Sequence, residues 1–195
     1  MKQLTFIILL AVSWQLCYSQ RHIQGQKGLE ISTGVMDNFN VLKSGKDNKS
    51  FFFQGAYSWY NKKENYLKLA FNFSEKRYPS DLTTTSYYPI RQYTSDFMYY
   101  GKVVTNRGRD FYLNLGAGPT VGYETVNNGN YILSNGSEIR DRNNFIYGLA
   151  AGADGELYLA DKVIFLVGFR ERYTLNSDVQ KLHFHFGAGI KFIIY

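Results

Sequence analysis

The stretch from Leu182 to Ile194, LHFHFGAGIKFII, alternates strictly. Leu182, Phe184, Phe186, Ala188, Ile190 and Phe192 share one face, and His183, His185, Gly187, Gly189 and Lys191 share the other. A period of two belongs to a β-strand whose faces meet different surroundings. Seven further segments repeat the pattern. Leu29, Ile31, Thr33 and Val35 oppose Glu30, Ser32, Gly34 and Met36, and Phe51, Phe53, Tyr57 and Trp59 oppose Gln54, Ala56 and Ser58. Leu67, Leu69, Phe71 and Phe73 oppose Lys68, Ala70, Asn72 and Ser74, and Tyr93, Phe97, Tyr99 and Val103 oppose Gln92, Thr94, Asp96 and Lys102. Phe111, Leu113, Leu115, Val121 and Tyr123 face away from Asn114, Gly116, Gly118, Thr120, Gly122 and Glu124. In the remaining two, Phe145, Tyr147, Leu149, Ala151, Leu157 and Leu159 oppose Gly148, Gly152, Asp154 and Glu156, while Phe165, Val167 and Phe169 oppose Gly168, Arg170 and Arg172.

A soluble β-sandwich also alternates, but its polar face is water-exposed and gains nothing from glycine, which weakens a strand. Here the less apolar face is crowded with glycine beside a few large charged residues. The lumen of a narrow closed barrel asks for that mixture, because small residues make room for long ones reaching across. The connections agree. Links after the first, third and fifth strands are long (Asn38 to Ser50, Arg77 to Pro89, Thr125 to Asn144), and those after the second, fourth and sixth are tight (Asn61 to Asn65, Thr105 to Asp110, Ala160 to Lys162). Long outer loops, short periplasmic turns and an even strand count point to an all-β fold: an eight-stranded antiparallel transmembrane β-barrel of outer-membrane type, of OmpA/OmpX-like size. Both termini are then periplasmic. Trp59, Tyr60, Tyr78, Tyr123 and Tyr173 are expected at the membrane interfaces.

Residues 1–19 stand apart. Lys2 precedes an uncharged, mostly apolar run from Leu4 to Leu16, and Cys17-Tyr18-Ser19 puts small side chains three residues and one residue before a cut at Gln20. That is a secretory signal peptide, too short for a membrane span. Leu16 is too bulky for Cys17 to mark a lipid anchor. The domain expected is a single outer-membrane barrel over residues 20–195. Cys17 is the lone cysteine, so the exported chain relies on packing and backbone pairing without disulfides. No segment of it is apolar enough for a membrane helix, which leaves closed strand pairing as the way across. Tyr and Phe number 17 and 15 while mean hydropathy is only −0.31, a combination that alternation explains. Without Lys2 the chain keeps 21 of its 22 basic residues against 16 acidic ones. Those charges are scattered at the ends of apolar segments, as at Lys62, Lys63, Arg77, Arg107, Arg109, Arg140, Arg142 and Lys162. That distribution favours a solvated rim, with some attraction to anionic lipid, over a nucleic-acid patch.

Four features of the sequence bear on chemistry. His183 and His185 point the same way and are weak metal candidates, needing Glu124 or Asp154 as a third ligand. A lipid A-modifying enzyme would pair a His with a Ser, but no Ser stands beside His183 on its strand. Gly116-x-Gly118 and Gly187-x-Gly189 lack the following helix of a phosphate loop and read as lumen spacers. A pore is not expected from eight strands, whose interior side chains fill. Lys68, Asp96, Glu124, Asp154, Glu156, Arg170 and Arg172 are expected to pair there as a charged plug. The reading is of a non-enzymatic barrel with no cofactor and no resident metal. The chain's final Gly189, Phe192, Ile194 and Tyr195 resemble the terminal signal by which outer-membrane strands are recognised for insertion, with Tyr195 one residue past the usual end.

Several stretches taken in order, GYETVN (Gly122 to Asn127), RDRNNFIYG (Arg140 to Gly148), RER (Arg170 to Arg172) and FGAGIKFII (Phe186 to Ile194), resemble the TraO family of conjugative transposon proteins. GAYSWY from Gly55 and KRYP from Lys76 extend the likeness. It implies an outer-membrane component of the conjugative transfer apparatus of an integrative element. Its partners would be membrane lipid and other envelope subunits, with no direct contact to nucleic acid. It supplies no catalytic residues. A general small barrel serving adhesion or envelope integrity is the alternative, followed by a lipid A-modifying barrel enzyme.

Overall fold

The computed structural model describes residues 22–37, 50–79, 87–129, 138, 143–177 and 180–194. Residues 1–21, which include the segment expected to be a signal peptide, most of the long connections, Arg140, Arg142 and Tyr195 lie outside the described residues. Eight strands follow one another: β1 (Lys27–Met36), β2 (Ser50–Tyr60), β3 (Tyr66–Pro79), β4 (Tyr87–Thr105), β5 (Phe111–Val126), β6 (Asn143–Ala160), β7 (Val163–Leu175) and β8 (Leu182–Ile193). Each pairs antiparallel with the next, and β8 pairs with β1 to close the ring. Closure leaves no strand edge, so every strand can satisfy its backbone inside a membrane.

Following opposed residues around the ring from Lys27 leads through Trp59, Leu67, Tyr99, Ala117, Ala151 and Glu171 to Phe184. The Phe184 carbonyl accepts from the N–H of Asp37. One circuit therefore returns ten residues along β1 (37 − 27 = 10), a stagger that tilts the strands by roughly 40° to the barrel axis. Backbone bonds from Gly25 to Tyr60 and from Ile193 to Lys162 put the two chain ends at the same mouth as the tight turns. The longer connections emerge at the opposite mouth.

Burial is inverted relative to a soluble domain. Phe71, Phe145 and Leu149 are 60% exposed or more, while Lys68, Asp96, Glu156 and Lys191 are at most 1% exposed. Such a wall is stable only against lipid, and such an interior only if its charges are paired. The glycines serve both needs. A Cβ on Gly118 would sit 1.9 Å from the carbonyl oxygen of Phe97, so the neighbouring backbone occupies its place. At Gly116 the obstacle is the Tyr100 ring at 2.7 Å.

Three expectations are corrected. Arg77–Pro79 and Tyr87–Pro89 are paired strand, with Arg77 opposite Pro89, rather than parts of a link. The prolines look like breakers, but both stand near the rim, where a ladder can lack a donor. Tyr60 is 3% exposed and points into the lumen, not to an interface, because alternation from Trp59 turns it inward. Lys102 leaves the lumen where a bulge shifts the register between Lys102 and Val104, and it pairs with Glu64 in the tight turn below β2.

Candidate functional site

The lumen is built in layers from residues of one strand parity. At the tight-turn mouth, His22 precedes β1 and tucks into the barrel. Its Nε2 donates to Glu156 at 2.7 Å, and its ring stacks on Tyr112 with centroids 3.9 Å apart. Lys191 donates to the other Glu156 oxygen at 2.5 Å and to Tyr60 at 3.2 Å, and its ammonium lies 4.4 Å from the Tyr66 ring centre. In the next layer, Lys68 bridges Asp154 at 2.9 Å and Glu30 at 2.8 Å, while the Tyr66 hydroxyl donates to Asp154. Gln54 donates to Glu30 at 2.6 Å and accepts from Arg170.

The middle layer centres on Asp96. Its two oxygens take Arg172 Nη2 at 2.7 Å, Arg172 Nε at 3.0 Å, Arg170 Nη1 at 3.0 Å, Thr120 at 2.7 Å and Asn72 at 3.1 Å. Arg172 Nη1 also donates to the His185 ring, 2.9 Å from Nε2. A hollow of about 30 Å³ between Glu30, Gln54, Asp154 and Arg170 is of water size. The described interior is therefore a plug and not a channel.

The mouth opposite the tight turns is tied by a hydrogen-bonded string. Ser177, after β7, donates to Glu124, which also accepts from Gln92 at 2.7 Å. The Gln92 amide nitrogen can only donate, so His183 accepts at Nε2 (3.0 Å) and donates from Nδ1 to Asp37 at 2.9 Å. Asp37 also takes Lys76 and the N–H of Phe184. Burial pushes the Asp37 carboxyl up, but the His183 bond, the Phe184 N–H and Lys76 outweigh it and hold it below the ordinary carboxylate value.

Of the seven residues read as a plug, the structure brings Lys68 to Asp154, and Asp96 to both Arg170 and Arg172. Glu156 and Glu124 find partners outside that set. Glu30, Gln54 and Lys191 were legible by parity, since all three lie on the less apolar face. His22 has no such signal, because it precedes the alternation. The two histidines diverge in their contacts: Glu124 reaches His183 only through Gln92, Asp154 reaches neither, and Arg172 stands where a cation beside His185 would be repelled. Among the described residues no three His, Cys, Asp or Glu side chains gather as a metal site. In the terminal segment, Gly189 faces in, Phe192 and Ile194 face out, and the Ile194 N–H bonds Lys27.

A closed eight-stranded barrel, apolar outside and charged within, defines a β-barrel protein of outer-membrane type. Similar folds occur in the outer membrane protein OprG of Pseudomonas aeruginosa, at 12% identity and a TM-score of 0.51 over 88% of this chain and 98% of that one. The Ail protein of Yersinia pestis is 13% identical, with a TM-score of 0.46 over 87% and 100% of the chains. Neisserial surface protein A gives 13% and 0.47 over 86% and 95%. At such identities the likeness to OprG concerns the fold alone. No curated protein sequence matches the chain. The family model of the conjugative transposon protein TraO matches residues 23–194, and the chain belongs to that family.

Proposed function

We propose that this protein is a non-enzymatic outer-membrane component of a conjugative transfer apparatus. It is exported by its signal peptide and inserted with both chain ends and the tight turns in the periplasm. The longer connections face the exterior, and the barrel works with other envelope subunits of the transfer machinery. The observation that carries the reading is the match to the TraO family over nearly the whole chain. An interior packed with paired side chains speaks against passage of DNA through a single barrel, so the role is one of docking or scaffolding. Among the described residues, His183 and His185 bond Asp37, Gln92 and Arg172, and Ser177 donates to Glu124 rather than to a histidine, which supports a non-enzymatic reading.

The decisive experiment deletes the gene from the element in frame and counts transconjugants, with the wild-type gene restored as control. Transfer is expected to fall by orders of magnitude and to return on complementation. An unchanged frequency would refute the transfer role and favour a general envelope function. Membrane seating is checked by carbonate extraction and by heat-modifiable migration, and a carbonate-soluble protein would contradict it.

A further inference from the structure

The outer wall is hollow where the fold does not require it to be. Most outward positions carry large apolar side chains, but Gly55 on β2 and Ser95 on β4 are small, and both stand opposite Phe71 on β3. One row nearer the longer connections, Phe53, Phe73, Tyr93, Tyr123 and Phe145 oppose each other in succession across five strands. Together these rows enclose a groove of about 590 Å³ open to the outside. Gly55 differs from the lumen glycines: a Cβ there would meet nothing within 4 Å, and its φ is not positive. Neither backbone conformation nor a close neighbour explains it. Its effect is to leave space.

The groove ends in charge. One row above the aromatics, Glu75 accepts from Arg77 Nε at 3.1 Å and from Arg91 Nε at 2.9 Å. Among the described residues none accepts a hydrogen bond from their Nη groups; the Arg77 and Arg91 side chains are 53% and 36% exposed, with a net charge of +1 over the three residues. Arg91 is four residues from Ser95 on the same strand, about 13 Å away. Glu75 thus orients two forks of the kind that grips phosphate, directly above an aromatic-walled apolar trough.

We propose that this groove binds a phosphorylated acyl glycolipid of the outer leaflet. An acyl chain lies over Gly55 and Ser95, and a phosphate is held by Arg91 and Arg77. The proposal rests on the outer-membrane location given above, since the arginines stand at the end of the longer connections. Charge favours a lipid over a second copy of the chain, whose isologous approach would set arginine against arginine.

The test uses the full-length protein in neutral maltoside micelles, with native mass spectrometry reading retained lipid. Bisphosphorylated lipid A, the same lipid without its phosphates, and phosphatidylglycerol are compared. One lipid A per barrel is expected, bound at least tenfold more tightly than the other two. Arg91→Gln and Arg77→Gln should each weaken it at least fivefold, and Gly55→Leu should abolish retention while heat-modifiable migration stays normal. Should the leucine variant misfold, Ser95→Leu serves in its place, and the arginine variants test the headgroup independently. Equal binding of the phosphate-free lipid or of phosphatidylglycerol, indifference to the arginine variants, or a dimer cross-linked through Gly55 would each overturn the proposal. Unchanged conjugative transfer on deletion would refute the transfer role while lipid A binding by the purified barrel still stood, so the two readings fail separately.

Discussion

Asp96 is where the interior is most exposed to a single change. It is fully buried and accepts from Asn72, Thr120, Arg170 and both an Nε and an Nη of Arg172. Asp96→Asn keeps the shape, removes the charge and turns one acceptor into a donor facing guanidinium. Breaking one side of a buried ion pair costs about 3–5 kcal/mol, because the partner charge stays buried and uncompensated. Here two guanidiniums lose their shared carboxylate, so the upper part of that range applies, a shift of a few hundred to a few thousand-fold in the folding equilibrium at roughly 1.4 kcal/mol per decade. Urea titration of the protein refolded into lipid vesicles, followed by heat-modifiable migration and tryptophan fluorescence, measures it. The companion variant Asp96→Leu, Arg170→Met, Arg172→Met removes all three charges and should recover most of the loss, since well-packed apolar groups can replace a buried ion cluster at little cost. A loss below about 1 kcal/mol in Asp96→Asn would refute the claim that this buried layer depends on its charges. A triple variant no better than the single one would show that the layer acts by hydrogen bonding alone.

Three other outcomes follow from the geometry. His22→Ala should lower stability by about 1–3 kcal/mol and speed protease cleavage before β1, while His22→Phe, which keeps the stacking on Tyr112 without the bond to Glu156, should fall between; equal protease resistance in all three would refute the seating of His22. Gly118→Ala should yield little heat-modifiable barrel, because its Cβ collides with the Phe97 carbonyl, whereas Gly55→Ala should insert normally; similar yields would contradict the close approach of β4 to β5. Asp37 is held below its ordinary value, so its share of stability is complete above the unfolded value near 3.9 and is lost as pH falls below it. The urea midpoint of Asp37→Asn should therefore be flatter than wild type below pH of about 4, and parallel curves would count against the Asp37–His183 contact.

Strand number, parity and closure were legible because each strand separates two environments, and that difference is written at every second residue. The aromatic outward rows and the glycine-rich inner face follow from it directly. Pairings within the lumen were less so: parity says that Asp96 and Arg172 both face in, but only the ten-residue stagger decides that they share a layer. Tyr60 and Lys102 were misplaced for local reasons, the first because an aromatic at a strand end resembles an interface residue, the second because a bulge breaks parity. Pro79 and Pro89 hid the ends of β3 and β4 by looking like loop residues. His22 was invisible, since its place depends on groups from β5, β6 and β8.

That dependence sets an order of events. Residue 22 comes before every strand, yet Tyr112, Glu156 and the Lys191 that braces Glu156 lie far along the chain, and Lys191 takes its place only when β8 zips against β1. The pocket for the imidazole does not exist until the ring has shut. His22 therefore finds its full set of contacts only in the closed ring, and protection of the segment before β1 is a mark of closure at the tight-turn mouth.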